Sequence, residues 1–270
     1  MTQLTIRSPN IALEALDFPL NWCGGSAFRS QFFNTFSQMF PVGEGFFVET
    51  VREALPLLTG PALAREARAF MAQESIHSAV HRRYNARLET LGLRGFVEHL
   101  QRWQVQRTAR YDIRNKLALV MAFEHFTAMM GDLLTASPEW LEGAPEPLRE
   151  LWLWHAAEEC EHRALAGDVY RALGGGERRR IAWFVYVNMV FLFDVTAQML
   201  HNLLRAGALW RPGTWAEGAA LVFGRHGIFW RGAGPWARYF RPGFSPRDAG
   251  ENAVAAAWLA GHEALFGRSP

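Results

Sequence analysis

Residues 152–162 read W-L-W-H-A-A-E-E-C-E-H and combine ionisable side chains with bulky apolar ones. On a helix with 3.6 residues per turn, His155, Glu159 and His162 stand at i, i+4 and i+7 and project from one face. The neighbouring tryptophans and leucines predict that this face is buried, and buried ionisable groups need a partner or a metal ion. Two imidazoles and a carboxylate on one stripe suit a transition metal.

A second Glu-x-x-His motif lies earlier in the chain, in the run Q-E-S-I-H at residues 73–77. Glu74 and His77 stand at i and i+3, and His81 follows one turn later on the same side. A lone motif of this kind is compatible with an acidic helix surface, in which Glu158 and Glu161 only solvate the protein. Two motifs separated by long helical segments favour a metal site instead.

Two further helical segments each carry one carboxylate in an apolar setting, Glu44 within F-P-V-G-E-G-F-F and Glu124 within L-V-M-A-F-E-H-F. The resulting order, Glu, E-x-x-H, Glu, E-x-x-H, is typical of dinuclear carboxylate sites in helical bundles. The alternatives are a helix N-terminal acid for Glu44 and a carboxylate paired with an arginine for Glu124. Glu49 competes with Glu44, but it lies about 140° further round the helix, and Arg52 offers it a surface partner.

Composition limits the class of protein. The chain has 270 residues, half of them hydrophobic and one fifth charged, which is enough for one large core. The net charge is +2, and the arginines are interspersed with acids, so we expect no nucleic-acid partner. Cys23 and Cys160 are far apart in sequence, which argues against disulfides and zinc-cysteine sites. The first twenty residues lack the pattern of a secretory signal, and we expect a cytoplasmic protein.

Apolar residues recur at helical spacing along the chain, and no convincing alternating strand pattern or repeat is present. The pattern predicts an all-α fold, namely a ferritin-like four-helix bundle with additional C-terminal helices. We expect one domain over residues 1–270, with the bundle core at about 43–175 and a C-terminal extension at about 177–270. The expected helices span Phe28 to Phe40 with a stop at Pro41, Gly43 to Leu58, Pro61 to Leu91, Val97 to Gln106, Asp112 to Thr135, Pro145 to the Gly174–Gly176 triplet, and a final alanine-rich segment capped by Ser245 and Asp248.

The segment from Ile181 to Leu200 is nearly all apolar and long enough to cross a bilayer. Asn188, Asp194 and Gln198 lie inside it, and each would be costly in lipid. We therefore expect a helix that packs against the bundle or touches a membrane surface.

Several polar residues are candidates for supporting the metal ligands. Asp194, Gln198 and His201 recur at i, i+4 and i+7, so they share a helix face that is able to lean on the ligands. The alternative is a polar edge that meets solvent. We expect His81 and His125 to support the ligands or to pack in the core.

The blocks that carry these motifs resemble the bacterial family described as predicted metal-dependent hydrolases, over about Phe40 to Tyr170. The matching blocks are F-P-V-G-E-G-F-F-V-E-T-V-R, F-M-A-Q-E-S-I-H-S-A-V-H-R-R-Y-N, A-F-E-H-F-T-A and W-H-A-A-E-E-C-E-H-R-A-L-A-G-D-V-Y. The resemblance implies metal binding.

The spacing H-x-x-x-E-x-x-H also resembles the di-iron N-oxygenases that convert aryl amines to nitro compounds, in which an additional histidine joins the usual ligands. That resemblance implies seven ligands, namely Glu44, Glu74, His77, Glu124, His155, Glu159 and His162. The similarity lies in spacing and order and does not extend to the substrate.

Three functions follow from such a site. The first is oxygen-dependent oxidation of a small apolar or aromatic substrate at two iron ions, with an electron-donor protein as partner. The second is hydrolysis by a water that two zinc, manganese or iron ions activate, since the chain has no G-x-S-x-G elbow. The third is iron oxidation and storage, against which the long C-terminal extension argues. The sequence is also compatible with a homodimer.

Overall fold

The computed structural model describes residues 4–11, 13 and 16–267, and these residues are almost entirely helical. The α-helices are α1 Ala27–Ala54, α2 Pro61–Thr90, α3 Glu98–Thr108, α4 Ile113–Thr135, α5 Glu146–His162, α6 Leu165–Ala172, α7 Glu177–Arg205, α8 Pro212–Phe223, α9 Ile228–Arg238 and α10 Ala253–Gly261. A two-residue antiparallel pair, β1 (Ser8–Pro9) and β2 (Phe266–Gly267), joins the two ends of the described chain. Apart from this pair, the predicted all-α fold is confirmed.

Four long helices enclose the interior. Helix α1 packs along α2, α4 packs along α5, and α1 also contacts α4. Short connections at residues 55–60 and 136–145 join the helices of each pair, which makes the pairs antiparallel. Helix α5 is buried along most of its length because α4, α10 and the N-terminal segment cover it. Ionisable side chains on the inward face of α5, such as His155 and Glu159, are therefore kept from water.

Helix α1 runs unbroken through Pro41, so the expected stop at this residue is wrong. Proline has no backbone N–H, and the carbonyl of Ser37, four residues earlier, loses its helical donor. The side-chain amide of Asn85 on α2 donates to that carbonyl at 2.8 Å. The neighbouring helix thus supplies the hydrogen bond that proline removes. The first long helix begins at Ala27, not near residue 43.

The expected helix over residues 145–174 is two helices. Helix α5 ends at His162, and α6 begins at Leu165. Between them, Arg163 donates from Nε to the carbonyl of Cys160 at 3.0 Å and from its two terminal nitrogens to Asp132, at 2.9 and 2.6 Å. These bonds to a terminal carbonyl and to α4 stabilise the break. Because the break depends on a residue of another helix, the local sequence does not indicate it.

The C-terminal helices cover the four long helices. Helix α7 lies against α1 and α4, α8 contacts α1, α9 contacts α4, and α10 packs on α5. Ser245 and Asp248 do form a capping box, but it caps a short 3-10 turn over Pro246–Ala249. Helix α10 begins later, at Ala253, where the side chain of Asn252 caps it. The predicted cap is therefore correct as a motif and wrong as the start of the final helix.

Helices α4 and α7 are both long and apolar enough to cross a membrane by length and composition. Most of the apolar window of α4 is buried inside the protein, as expected for a core helix. Only 22% of the corresponding window of α7 is buried. Helix α7 therefore presents much apolar surface outward.

Candidate metal centre

The structure brings the seven predicted ligands together in one buried cluster. Helix α1 contributes one glutamate, α2 a glutamate and a histidine, α4 one glutamate, and α5 two histidines and a glutamate. None of them is more than 3% exposed: they are Glu44, Glu74, His77, Glu124, His155, Glu159 and His162. The helical spacing explains this convergence, since each motif repeats on the inward face of its helix.

Glu159 lies at the centre of the cluster. Its Oε1 is 3.1 Å from His155 Nε2, 3.4 Å from His77 Nδ1 and 3.8 Å from His162 Nε2. Ligand atoms of Glu74, His77, Glu159 and His162 lie within 4.8 Å of one another, as do those of Glu44, His77 and His155. The two groups share His77, so they lie next to each other.

The donor atoms of this cluster lack protein partners. Burial of a polar atom without a hydrogen bond costs about 1–3 kcal/mol, so such atoms are rare in folded proteins. Among the described residues, unpartnered side-chain atoms occur on all seven: both oxygens of Glu44 and of Glu74, His77 Nδ1, Glu124 Oε1, His155 Nε2, Glu159 Oε2 and His162 Nε2. Their convergence on one space fits a pair of metal ions, which accept bonds from oxygen and nitrogen donors.

The pKa values of the buried glutamates also favour a metal site. Burial, together with the negative charge of neighbouring carboxylates, raises the pKa of Glu74 well above its ordinary value. Burial also raises the pKa of Glu44, and it raises that of Glu124 to about 7 although His162 opposes it. Burial acts on Glu159 too, but His162 and the other imidazoles hold its pKa below the ordinary value. Divalent cations would neutralise this concentration of carboxylates.

A chain of hydrogen bonds fixes which nitrogen of His155 faces the cluster. The hydroxyl of Ser37 donates to Asn85 Oδ1 at 2.8 Å, so it accepts from His81 Nδ1 at 2.9 Å. His81 Nε2 then accepts from His155 Nδ1, at 2.8 Å. Burial lowers the pKa of His81, and it lowers that of His155 to about 4, so both rings are neutral. Nε2 of His155 therefore carries no proton, and its lone pair faces the carboxylate of Glu159.

Glu158 holds His77 in place. Its Oε2 lies 2.8 Å from His77 Nε2, and its other oxygen accepts from Arg7 at 3.1 Å. Because Nε2 of His77 contacts Glu158, its Nδ1 is the nitrogen that faces the other six predicted ligands. Burial opposes the charged form of His77, but the hydrogen bond to Glu158 and the negative charges of Glu158 and Glu159 outweigh it and raise its pKa to about 10.

The surface interpretation of Glu158 is therefore wrong, because its side chain is fully buried. Glu161 is exposed, as that interpretation expected, and it accepts from Arg7 at 2.7 and 3.0 Å. Arg7 is a contact of this cluster that the sequence did not reveal. It precedes β1, its guanidinium lies over the ring of Phe266 in β2, and no pattern links it to a motif 151 residues away.

Glu49 and His125 lie apart from the cluster. Glu49 is exposed and pairs with Arg52, whereas Glu44 is buried. His125 contacts the carbonyl of Pro235 at 3.2 Å, and its ring packs against Tyr239. Burial lowers its pKa to about 4, as expected for a neutral core histidine.

The three predicted supporting residues on α7 have different surroundings. Asp194 is buried in the wall of a cavity that Glu44 and Glu159 also line, and its Oδ1 has no hydrogen-bond partner. Gln198 donates to Gln38 Oε1 at 2.9 Å and accepts from a backbone N–H, so its role is structural. His201 stacks on Phe96 with 4.8 Å between ring centroids. Of the three, only Asp194 shares a cavity with the cluster.

That cavity, which we call the substrate pocket, has a volume of about 430 Å³. Glu44 and Glu159 reach it from the metal cluster, and side chains of α1, α3, α4 and α7 form its walls. Most of these are apolar, including Phe40, Phe123 and Phe191. Two exposed aromatic residues, Trp103 and Tyr186, mark where the substrate pocket meets the surface.

Comparison with known proteins agrees with this site. No curated protein and no solved structure matches the chain. A family model described as predicted metal-dependent hydrolase matches residues 5–250, a range that contains the whole candidate metal cluster and the substrate pocket. The chain therefore belongs to the family of predicted metal-dependent hydrolases.

Proposed function

We propose that this protein is a hydrolase that holds two divalent metal ions and cleaves a small apolar substrate. The seven ligands would be the predicted set of four glutamates and three histidines. The observation that carries the proposal is the convergence of buried, unpartnered donor atoms on all seven of these residues. Family membership supports the hydrolytic reaction.

Bound ions would supply Lewis acidity that lowers the pKa of a water, and iron would in addition supply redox chemistry toward dioxygen. The protein's own contribution is to bind the substrate and to handle protons. Phe40, Phe123 and Phe191 supply apolar contacts and exclude water from the substrate pocket. Asp194 adds an unpartnered oxygen, Oδ1, in the same wall.

Asp194 has the properties of a proton carrier. Burial raises its pKa to about 6, against the opposing effect of a hydrogen bond from Gln104. A carboxyl group with a pKa near neutrality exchanges protons readily at physiological pH. In the proposed hydrolysis, water adds to the carbonyl carbon of the ester or amide, and Asp194 donates its proton to the leaving oxygen or nitrogen as that bond breaks. The proton that the water releases then restores the Asp194 carboxyl group.

We also propose that the scaffold is a ferritin-like four-helix bundle within a single domain. The supporting observations are the antiparallel pairs α1 with α2 and α4 with α5, and α3 in the connection between the pairs. Each of these four long helices contributes ligands in the order expected for such bundles. Helices α7 to α10 then serve to close the substrate pocket and cover the bundle.

Oxygen-dependent oxidation is the second candidate. It is favoured by one observation: the donor set contains two E-x-x-H motifs and an extra histidine, as in the di-iron N-oxygenases it resembles, next to an aromatic cavity. This reaction would need two iron ions and an electron donor, whereas hydrolysis would also proceed with zinc or manganese.

Metal substitution separates the two reactions. The demetallated protein is reloaded with zinc or with ferrous iron and assayed against a panel of apolar esters and amides under strict anoxia. Hydrolysis predicts turnover by the zinc form without dioxygen. An inert zinc form, together with dioxygen consumption by the iron form, would reject hydrolysis in favour of oxidation. A folded protein that takes up no metal at all would reject both.

A further inference from the structure

The outward face of α7 is apolar along its length. Exposed positions on this helix recur at helical spacing and form a stripe on the side away from the bundle. Met189, Leu192 and Phe193 are 61%, 68% and 61% exposed. The stripe is completed by Val185, Tyr186, Leu200 and Leu204. A solvent-facing helix of this length normally presents polar side chains, so the stripe requires a partner.

The two helices that follow continue this surface. Trp210, in the turn before α8, is 85% exposed, and Trp230 on α9 is 61% exposed. Trp236 on α9 donates to Asn188 on α7 at 2.7 Å, which ties the two helices together. The exposed large apolar residues of these helices are Trp215, Phe223, Phe229, Trp230 and Trp236. We call the exposed apolar side chains of α7, α8 and α9, with Trp210, the apolar face.

Positive charge is concentrated in the same segment. Residues 177–241 contain nine arginines and three acids, a net charge of +6, although the whole chain carries only +2. The remainder of the chain is therefore acidic. Most of these arginines are exposed, among them Arg178, Arg211, Arg225 and Arg238. The even mixture of charges expected from the sequence thus does not hold for this segment.

We propose that the apolar face docks on an anionic lipid surface. Tryptophan and phenylalanine beside arginine are the side chains that favour the boundary between headgroups and acyl chains. Arginine adds attraction to anionic lipids. A second copy of this chain is a less suitable partner, because two segments that each carry a net charge of +6 would repel each other. The bilayer supplies both the apolar medium and the opposite charge.

The substrate pocket opens at the edge of the apolar face. Tyr186 belongs both to the exposed stripe and to the pocket wall. Across the opening on α3, Trp103 is exposed, and the guanidinium of Arg107 lies 4.8 Å from its ring centroid. A docked protein would therefore draw an apolar substrate from the lipid. This consequence rests on the proposed function, whereas docking itself does not.

Vesicle binding tests docking without any turnover. The full metal-loaded protein is floated with vesicles of phosphatidylglycerol and phosphatidylcholine in equal parts, and with vesicles of phosphatidylcholine alone. We expect binding to the anionic vesicles that weakens as salt rises, and binding about tenfold weaker to the neutral ones. Exchanging Arg211→Glu and Arg225→Glu together should lower the anionic partition coefficient about tenfold.

An apolar variant and its control complete the test. The pair Met189→Ser with Leu192→Ser, neither of which lines the substrate pocket, should lower the partition coefficient about tenfold. Leu57→Ser alters a residue that is 52% exposed after α1, and should leave binding unchanged. Circular dichroism verifies that each variant folds. Equal binding to both vesicle types, or none, overturns docking on anionic lipid.

Two further outcomes are decisive. In the first, light scattering without lipid shows that the native protein is a dimer and that the Met189→Ser, Leu192→Ser variant is a monomer. This result would assign the apolar face to self-association and overturn the proposal. For the substrate, an ester presented in anionic vesicles should turn over faster with the native protein than with the pair variant, while both hydrolyse it equally in detergent. Absence of hydrolysis in both media rejects the proposed function and leaves the vesicle result intact.

Discussion

His77 Nε2 lies 2.8 Å from Glu158 Oε2, and both side chains are fully buried. The contact leaves only Nδ1 of this histidine for a metal ion. It also extends the cluster outward through Arg7, which binds Glu158 and Glu161. The carboxylate next to Glu159 in sequence therefore orients a predicted ligand on a different helix, and the cluster depends on residues outside the E-x-x-H motifs.

Substitution of Glu158 should weaken metal binding without removing a ligand. Glu158→Gln keeps the shape of the side chain but takes away the charge that holds His77. We expect metal affinity to fall about 10- to 100-fold, as is usual for partners of metal-bound histidines. Competition with a chromophoric chelator measures the affinity. Glu161→Gln, which alters only the contacts to Arg7 and Gln73, should change it about two- to fivefold at most.

Glu44 and Glu49 form a matched pair of variants on α1. Glu44→Gln should lower the metal content from about two ions per chain toward about one, because it weakens one of the two sites that share His77. Glu49→Gln should keep both ions, since Glu49 is exposed and paired with Arg52. Elemental analysis of the purified proteins gives the stoichiometry. Loss of metal from the Glu49 variant alone would make Glu49 the ligand.

The contact between Asn85 and the carbonyl of Ser37 should appear as an energetic coupling to Pro41. Asn85→Ala leaves that carbonyl without a donor, and we expect the free energy of unfolding to fall by about 1–3 kcal/mol. In a Pro41→Ala background, the restored backbone N–H satisfies the carbonyl, and the same substitution should cost about 1 kcal/mol less. Chemical denaturation of the four proteins gives the coupling. Strict additivity would mean that Asn85 does not replace the missing helical bond.

Asp194 should make stability depend on pH. Its pKa is about 6 in the folded protein and near 3.8 ordinarily, so the folded state holds the proton more tightly. This contribution to stability is fully present below about pH 4 and is lost as pH rises through about 6. The Asp194→Asn variant lacks this pH dependence. Above about pH 6 its free energy of unfolding should exceed that of the native protein by about 1–2 kcal/mol, a value reduced because water in the pocket screens the charge.

Thermal unfolding of the native protein and the Asp194→Asn variant at pH 4, 6 and 8 checks this expectation. The difference between the two proteins should grow from pH 4 to pH 8. A constant difference across that range would show that Asp194 does not bind a proton more tightly when folded. Glu150, which is half-exposed on α5, offers a comparison site: Glu150→Gln should produce a much smaller change.

Helical periodicity accounts for what could be predicted. Spacing of three and four residues places Glu74 with His77, and His155 with Glu159 and His162, whatever surrounds the helix. The structure accordingly brings all of these residues into one cluster. Their metal-binding role remains a prediction that elemental analysis tests.

Contacts between distant elements account for the errors. The break after His162 depends on Asp132 from α4, and the continuity of α1 at Pro41 depends on Asn85 from α2. Neither partner lies near the site in sequence, so local propensity gave the wrong helix ends. The burial of Glu158 could not be read from the sequence for the same reason.

The pairing of β1 with β2 bears on when the protein can mature. Asn10 donates to the carbonyl of Leu265 at 2.9 Å, and Phe266 packs under Arg7, which in turn holds Glu158. During synthesis, the helices that carry all seven predicted ligands leave the ribosome about a hundred residues before Phe266 does. In a nascent chain that lacks Phe266, the predicted ligands are therefore present before the β1–β2 pair that positions Arg7 has formed. We therefore expect Arg7 to settle against Glu158 only after Phe266 has been synthesised.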